Sequence, residues 1–208
     1  MTWWYLILGA YLLASIPFGL LVGLAKSGID VRTFGSGNVG ATNVMRTLGK
    51  KAGLIVLILD MAKGAVPVSI AIAAGAPQVM IGGVALAAVC GHVFSIYLGF
   101  RGGKGVATAI GAFLPIAPIP TLSMIAIFVV TLLWKHVVSL ASVAAVTLFP
   151  VLLLLFNQVD SLPRVAESII LSATAASILI VARHAGNIQR MLDGREARLE
   201  DPAEVHLE

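Results

Sequence analysis

Polar punctuation divides the chain into seven apolar segments, at residues 3–24, 53–74, 79–98, 106–117, 120–134, 137–156 and 165–181. About 20 helical residues cross the hydrocarbon core of a bilayer, so the fourth and fifth segments are short for a perpendicular crossing. Between those two lies Pro115-Ile116-Ala117-Pro118-Ile119-Pro120, where repeated prolines stop helix propagation. The pattern predicts an all-α, polytopic integral membrane protein of about seven transmembrane helices, organised as one domain over residues 1–208. A single bent or re-entrant element at the prolines would lower that count. Residues 1–23 have neither a basic n-region, the first cation being Lys26, nor a small-residue cleavage site. They are therefore expected to form the first crossing rather than a secretory signal.

The cations between the segments orient the chain. With the N-terminus outside, the inner connections hold Lys26, Arg32, Arg46, Lys50, Lys51, Arg101, Lys104, Lys135, Arg183, Arg190, Arg195 and Arg198, and the outer ones only Arg164. That asymmetry predicts N-out and C-in. It puts the polar connections on the cytoplasmic side.

Composition agrees with a membrane protein. Hydrophobic residues make up 59% of the 208 and charged residues 12%, where soluble domains carry roughly a quarter. The mean hydropathy is +0.99. The net charge of +4 comes without a basic run or interleaved aromatics, which argues against a nucleic-acid partner and for membrane lipid. The lone Cys90 excludes an internal disulfide and a redox pair and reads as a small buried hydrophobe.

Two glycine-rich connections carry the candidate chemistry. The first, Ser36-Gly37-Asn38-Val39-Gly40-Ala41-Thr42-Asn43, is followed by Arg46, and a helix starting near Gly40 adds N-terminal amides beside the glycines. The second is Arg101-Gly102-Gly103-Lys104-Gly105-Val106-Ala107-Thr108. Glycines let successive N–H groups converge on one anion, and a cation alongside suits phosphate. The second loop falls short of a nucleotide P-loop. Three residues, not four, separate Gly99 from Gly103, and Gly105 stands where a hydroxyl would bind magnesium.

Asp60 and Lys63 stand three residues apart within an apolar segment, on one helix face. They form either a structural ion pair or, through Lys63, the back of an anionic pocket. Among the histidines, His92 precedes the second loop, His184 lies where the last segment ends, His136 is interfacial and His206 solvated in the tail. His184 is the stronger candidate for acid, base or phosphate donor. The sequence holds no His-x4-Asp acyltransferase pair, no GxSxG elbow and no Cys/His metal array, so no metal or cofactor is expected.

Together these stretches resemble the bacterial acyl-phosphate:glycerol-3-phosphate acyltransferases. The similarity runs in order through Ser36 to Arg46, Asp60-x-x-Lys63-Gly64, Gly91-His92, Gly102 to Thr108, and His184-x-x-Asn187-Ile188-x-Arg190 with Gly194-x-Glu196. The resemblance implies a multi-pass enzyme of the bacterial plasma (inner) membrane, its active site facing the cytoplasm. It implies acyl transfer from acyl phosphate to the 1-hydroxyl of sn-glycerol 3-phosphate, yielding lysophosphatidate and phosphate for phospholipid synthesis. Catalytic roles are then expected for Ser36, Arg46, Lys104, His184 and Asn187, with Glu196 structural. Substrate or phosphate binding is expected of Gly37, Asn38, Gly40, Thr42, Asn43, Lys63, Gly64, His92, Arg101, Gly102, Gly103, Gly105 and Thr108.

Both substrates carry phosphate, which accounts for two anion-binding loops. Either His184 or an oxygen of the acyl phosphate takes the proton from the glycerol hydroxyl. The rival reading is a transporter or channel for organic phosphates, which needs polar residues along a crossing path.

Overall fold

The computed structural model describes residues 3–201, and His206 lies outside them. Each of the seven apolar segments is helical, but three depart from a plain crossing.

The first segment breaks in two, α1 (Trp4–Ala14) and α2 (Phe18–Ser27). Pro17 has no N–H to continue the ladder, so carbonyls at the break lose their helical partners. Distant side chains take them over: Ser95 Oγ donates to Ser15 O at 2.5 Å and Lys63 Nζ to Ile16 O at 2.9 Å. After a short 3-10 turn and the first glycine-rich loop come α3 (Ala41–Leu48) and α4 (Lys50–Ala73). The third segment becomes α5 (Gln78–Val93) and a 3-10 turn, Ile96–Leu98, which leads into the second glycine-rich loop.

The fourth segment differs most from its expected form. Its helix, α6 (Val106–Phe113), has eight residues, about 12 Å of rise against the roughly 30 Å of a hydrocarbon core. It ends before Ala117, which leaves helical geometry (φ −140°, ψ 74°) because the ring of Pro118 disfavours the helical region in the preceding residue. Pro118 instead opens α7 (Pro118–Lys135), where its missing N–H costs nothing. The chain ends with α8 (Val138–Phe156), α9 (Glu167–Arg183) and α10 (Ala185–Leu192). Among the described residues five helical stretches are long and apolar enough to cross a membrane. A sixth is added if α9 and α10, bent by 55° at His184, count as one.

Helix α5 is central, packed by α1, α4, α6 and α9, with Val84, Ala85, Ala88 and Val89 fully buried. Helices α4 and α6 meet with almost no side chain between them. A Cβ on Gly64 would lie 2.2 Å from Thr108 O, and one on Gly111 would lie 1.9 Å from Met61 O. Close backbone approach through small residues is how helices associate where lipid removes the hydrophobic drive. It locks α6, and the loop before it, to the helix bearing Asp60 and Lys63.

Candidate functional site

In the first loop, buried Asn43 is the organiser. Its Nδ2 donates to Val31 O (2.8 Å) and Asn38 O (2.9 Å), while its Oδ1 accepts the Ser36 N–H at 3.0 Å. Asn38 Oδ1 accepts the Gly40 N–H at 2.8 Å, and the Gly37 N–H donates to Phe34 O. The amides of Ser36, Gly37 and Gly40 are thus engaged within the loop, so they shape it rather than meet an anion in this state. Asn43 is likewise fully committed. Ser36 is exposed on the loop and Thr42 half-buried in the first turn of α3.

The second loop is tied down in the same way. The N–H groups of Gly102 and Gly103 donate to Val93 O and His92 O, both at 3.0 Å, so they close the loop onto the end of α5. Gly105, with φ +94°, then turns the chain into α6. The unengaged N–H groups lie beyond the paired glycines, at the entry to α6. Gly64, expected near substrate, is instead consumed in the contact between α4 and α6. Arg101 is exposed.

His92 lies under this loop. Its Nδ1 is 3.1 Å from Thr108 Oγ1 and 3.8 Å from Asp60 Oδ1. Asp60 and Lys63 are 2.8 Å apart, each with a side chain only 3% exposed. The Lys63 ammonium also reaches Ile16 O and faces the Phe18 ring at 5.6 Å from its centroid. Asp60, Lys63, His92 and Phe18 line a narrow cleft with Ser15, Ser95 and Val39. Of the two readings of the pair, the geometry favours the structural one. Lys63 is used up by an internal carboxylate and a broken-helix carbonyl, and Thr108 by His92.

The charged face forms where α9 bends into α10. His184 is buried, and its Nδ1 lies 2.8 Å from Ile180 O. A carbonyl only accepts, so Nδ1 carries the hydrogen and Nε2 keeps its lone pair. Glu196 is the hub. Asn187 Nδ2 (2.6 Å) and Ser139 Oγ (2.8 Å) donate to its Oε1, and Arg190 Nε (2.8 Å) to its Oε2. Burial alone would raise its pKa, but the hydrogen bonds from Asn187, Ser139 and Arg190 and the Arg190 charge hold it lower.

Lys104 joins the same set. Burial lowers its pKa to about 8, opposed by the Glu196 carboxylate and helped by the charges of Arg190, Arg46 and Arg183. Four cations thus act around one carboxylate, an excess that favours an anion. Arg183 Nη2 is 3.4 Å from Gly102 O. Arg46 Nη2 donates to Ala197 O (3.3 Å) and Arg198 O (2.5 Å).

The fold therefore gathers Arg46, Lys104, His184 and Asn187 into one electrostatic unit, joined through Asn43 and α3 to the Ser36 loop. Lys63, Gly64, His92, Gly103 and Thr108 lie beneath it. Ser139 was absent from the sequence-based set, and one serine in an apolar helix carries no local signal. Arg183 and Arg190 entered only as orienting charges and as part of the last motif.

Comparison with known proteins follows the same line. The family model for glycerol-3-phosphate acyltransferase matches residues 4–194. A glycerol-3-phosphate acyltransferase from Geotalea daltonii is 48% identical, covering 92% of this chain and 94% of that protein. One from Aquifex aeolicus is 42% identical, covering 93% and 97%. The crystal structure of PlsY, an integral membrane glycerol 3-phosphate acyltransferase, in its glycerol 3-phosphate form is also similar. Its TM-score is 0.88 at 39% identity, covering 95% of this chain and 96% of that one. The lysophosphatidic acid form gives 0.86 at 38% identity, covering 95% of each.

Proposed function

Because the chain belongs to the glycerol-3-phosphate acyltransferase family, we propose that it acylates the 1-hydroxyl of sn-glycerol 3-phosphate with acyl phosphate as donor. The products are lysophosphatidate and inorganic phosphate, and the reaction serves phospholipid synthesis. The observation that carries this reading is the cationic excess of Lys104, Arg46, Arg183 and Arg190 over Glu196, beside the free Nε2 of His184. Two phosphates must be held close together for this chemistry. A pre-assembled cluster of cations does so without reorganisation at the moment of reaction.

The step balances without an acyl-enzyme. The glycerol oxygen forms a bond to the acyl carbon, the bond from that carbon to the anhydride oxygen breaks, and phosphate departs. The proton of the attacking hydroxyl ends on the departing phosphate, so no strongly basic side chain is required. This accounts for a site without a His-x4-Asp pair. His184 Nε2 accepts a hydrogen bond from the glycerol and aligns it, held in that tautomer by Ile180 O. Lys104 and Arg46 neutralise charge on the phosphates, and exposed Ser36 donates a hydrogen bond. Asn187 and Ser139 hold Glu196, which in turn holds Arg190. The acyl chain lies between helices, open to lipid. The charge asymmetry of the connections supports N-out, C-in insertion in the bacterial inner membrane, with this face toward the cytoplasm.

The donor is tested with purified protein in detergent, glycerol 3-phosphate, and either acyl phosphate or an acyl thioester. Lysophosphatidate formed together with an equal amount of phosphate is expected from acyl phosphate alone. Turnover with the thioester, and none with acyl phosphate, overturns the donor assignment. Flux of glycerol 3-phosphate into liposomes without acyl transfer would instead favour transport.

A further inference from the structure

The segment after α10 does not leave the charged face. Past Glu196 it runs across the site as a strap with anchors at both sides. On one side Ala197 O and Arg198 O accept from Arg46 Nη2. On the other, the Leu199 N–H donates to His136 O at 2.7 Å, and Glu200 Oε1 lies 3.1 Å from His136 Nδ1. The family model ends at residue 194, so the strap lies beyond the part of the chain it matches.

The strap meets Arg46 at the atom that matters for anions. A guanidinium grips a phosphate by two parallel N–H groups, either through Nε and Nη2 or through Nη1 and Nη2. Nη2 belongs to both edges, and the strap carbonyls take it. Nε, the other half of the side-on edge, is buried with no acceptor. An unpaired buried donor is costly, and a phosphate on this edge would satisfy it.

We propose that residues 197–201 form a displaceable lid that occupies Arg46 in the empty enzyme and yields when an anionic substrate arrives. The lid keeps Arg46 oriented but denies it a two-pronged grip until phosphate displaces the carbonyls. This rests on the reading of Arg46 as a phosphate ligand. The strap is held to the rest of the molecule by exposed contacts at its far end, so its release costs little.

The experiment compares the full-length enzyme with Leu199→Pro, which removes the N–H given to His136, and with Glu200→Lys, which reverses the ion contact. Both substitutions lie outside the cluster, and each variant is checked by its thermal midpoint in detergent. Loss of a contact of ordinary net strength lowers KM for one of the two phosphate substrates by about fivefold. Maximal rate is retained. Trypsin cleavage after Arg198 also accelerates when glycerol 3-phosphate is added to the unaltered enzyme. Unchanged KM for both substrates in folded variants, or a lower kcat, overturns the lid. Near-normal activity of Arg46→Ala overturns the underlying reading of the site. An inactive Arg46→Ala with unchanged strap variants overturns the lid alone.

Discussion

Gly103 lies flat against the ring of His92: a Cβ built on it would be 2.1 Å from Nε2. The next residue is Lys104, so the position of its ammonium depends on a histidine buried in the preceding span. Gly103→Ala is expected to push the loop off α5 and cut kcat at least tenfold, while the helices remain folded. Overpacking of a filled interior typically costs about 1–3 kcal/mol. Adding His92→Ala removes the obstructing ring and should restore part of the rate. Initial rates of the single and double variants decide it, and a double variant no faster than Gly103→Ala refutes the coupling.

The charge of Lys104 sets a limit on the alkaline side. Its ammonium is charged below a pKa of about 8 and neutral above it, whereas the phosphates stay anionic throughout. KM for a phosphate substrate should therefore rise through a single ionisation as pH climbs past about 8. Glu196 raises that pKa, so Glu196→Gln should move the limb to lower pH. Lys104→Arg should flatten it, because a guanidinium stays charged. Profiles of kcat/KM from pH 6 to 10 check both.

The pair Asp60 and Lys63 sits where a lone charge is poorly tolerated. Lys63→Met strands a buried carboxylate and should destabilise by about 3 kcal/mol or more. The double variant Asp60→Asn with Lys63→Met should be closer to the unaltered protein than either single change. Thermal midpoints in one detergent provide the comparison, and equal damage in the single and double variants refutes a structural ion pair.

Ser36 is exposed, and its backbone N–H is engaged by Asn43. Direct transfer predicts that Ser36→Ala slows turnover by about two orders of magnitude, in keeping with a lost transition-state hydrogen bond. No acyl-serine should form. Single-turnover mixing with acyl phosphate, followed by peptide mass analysis, tests this, and acylated Ser36 would falsify direct transfer.

Much of the architecture was legible along the chain. Long apolar runs mark helices because hydropathy and length are local properties, and the prolines at 115–120 mark the start of α7. The first run, expected as one crossing, instead breaks before α2 at Pro17. The motif order carried the family. Less could be read where residues looked alike but differ in surroundings. Gly64, Gly103 and Gly37 read equally as phosphate-binding glycines. Yet Gly64 serves helix contact, Gly103 clears a histidine ring, and Gly37 turns a loop that Asn43 holds.

An all-helical membrane protein and its family were readable along the chain, because hydropathy, charge and motif spacing act over a few turns. Which charges meet depends on how the helices pack. Arg46, Lys104 and Glu196 stand on α3, the second loop and the tail, far apart in the chain. They converge because α4 meets α6 through Gly64 and Gly111, and because Glu196 ties α8 to α10. Such contacts depend on the shapes of two surfaces at once, which no local pattern encodes. The same holds for Lys63, which meets Asp60 and the Ile16 carbonyl, and for the tail, which meets Arg46 and His136.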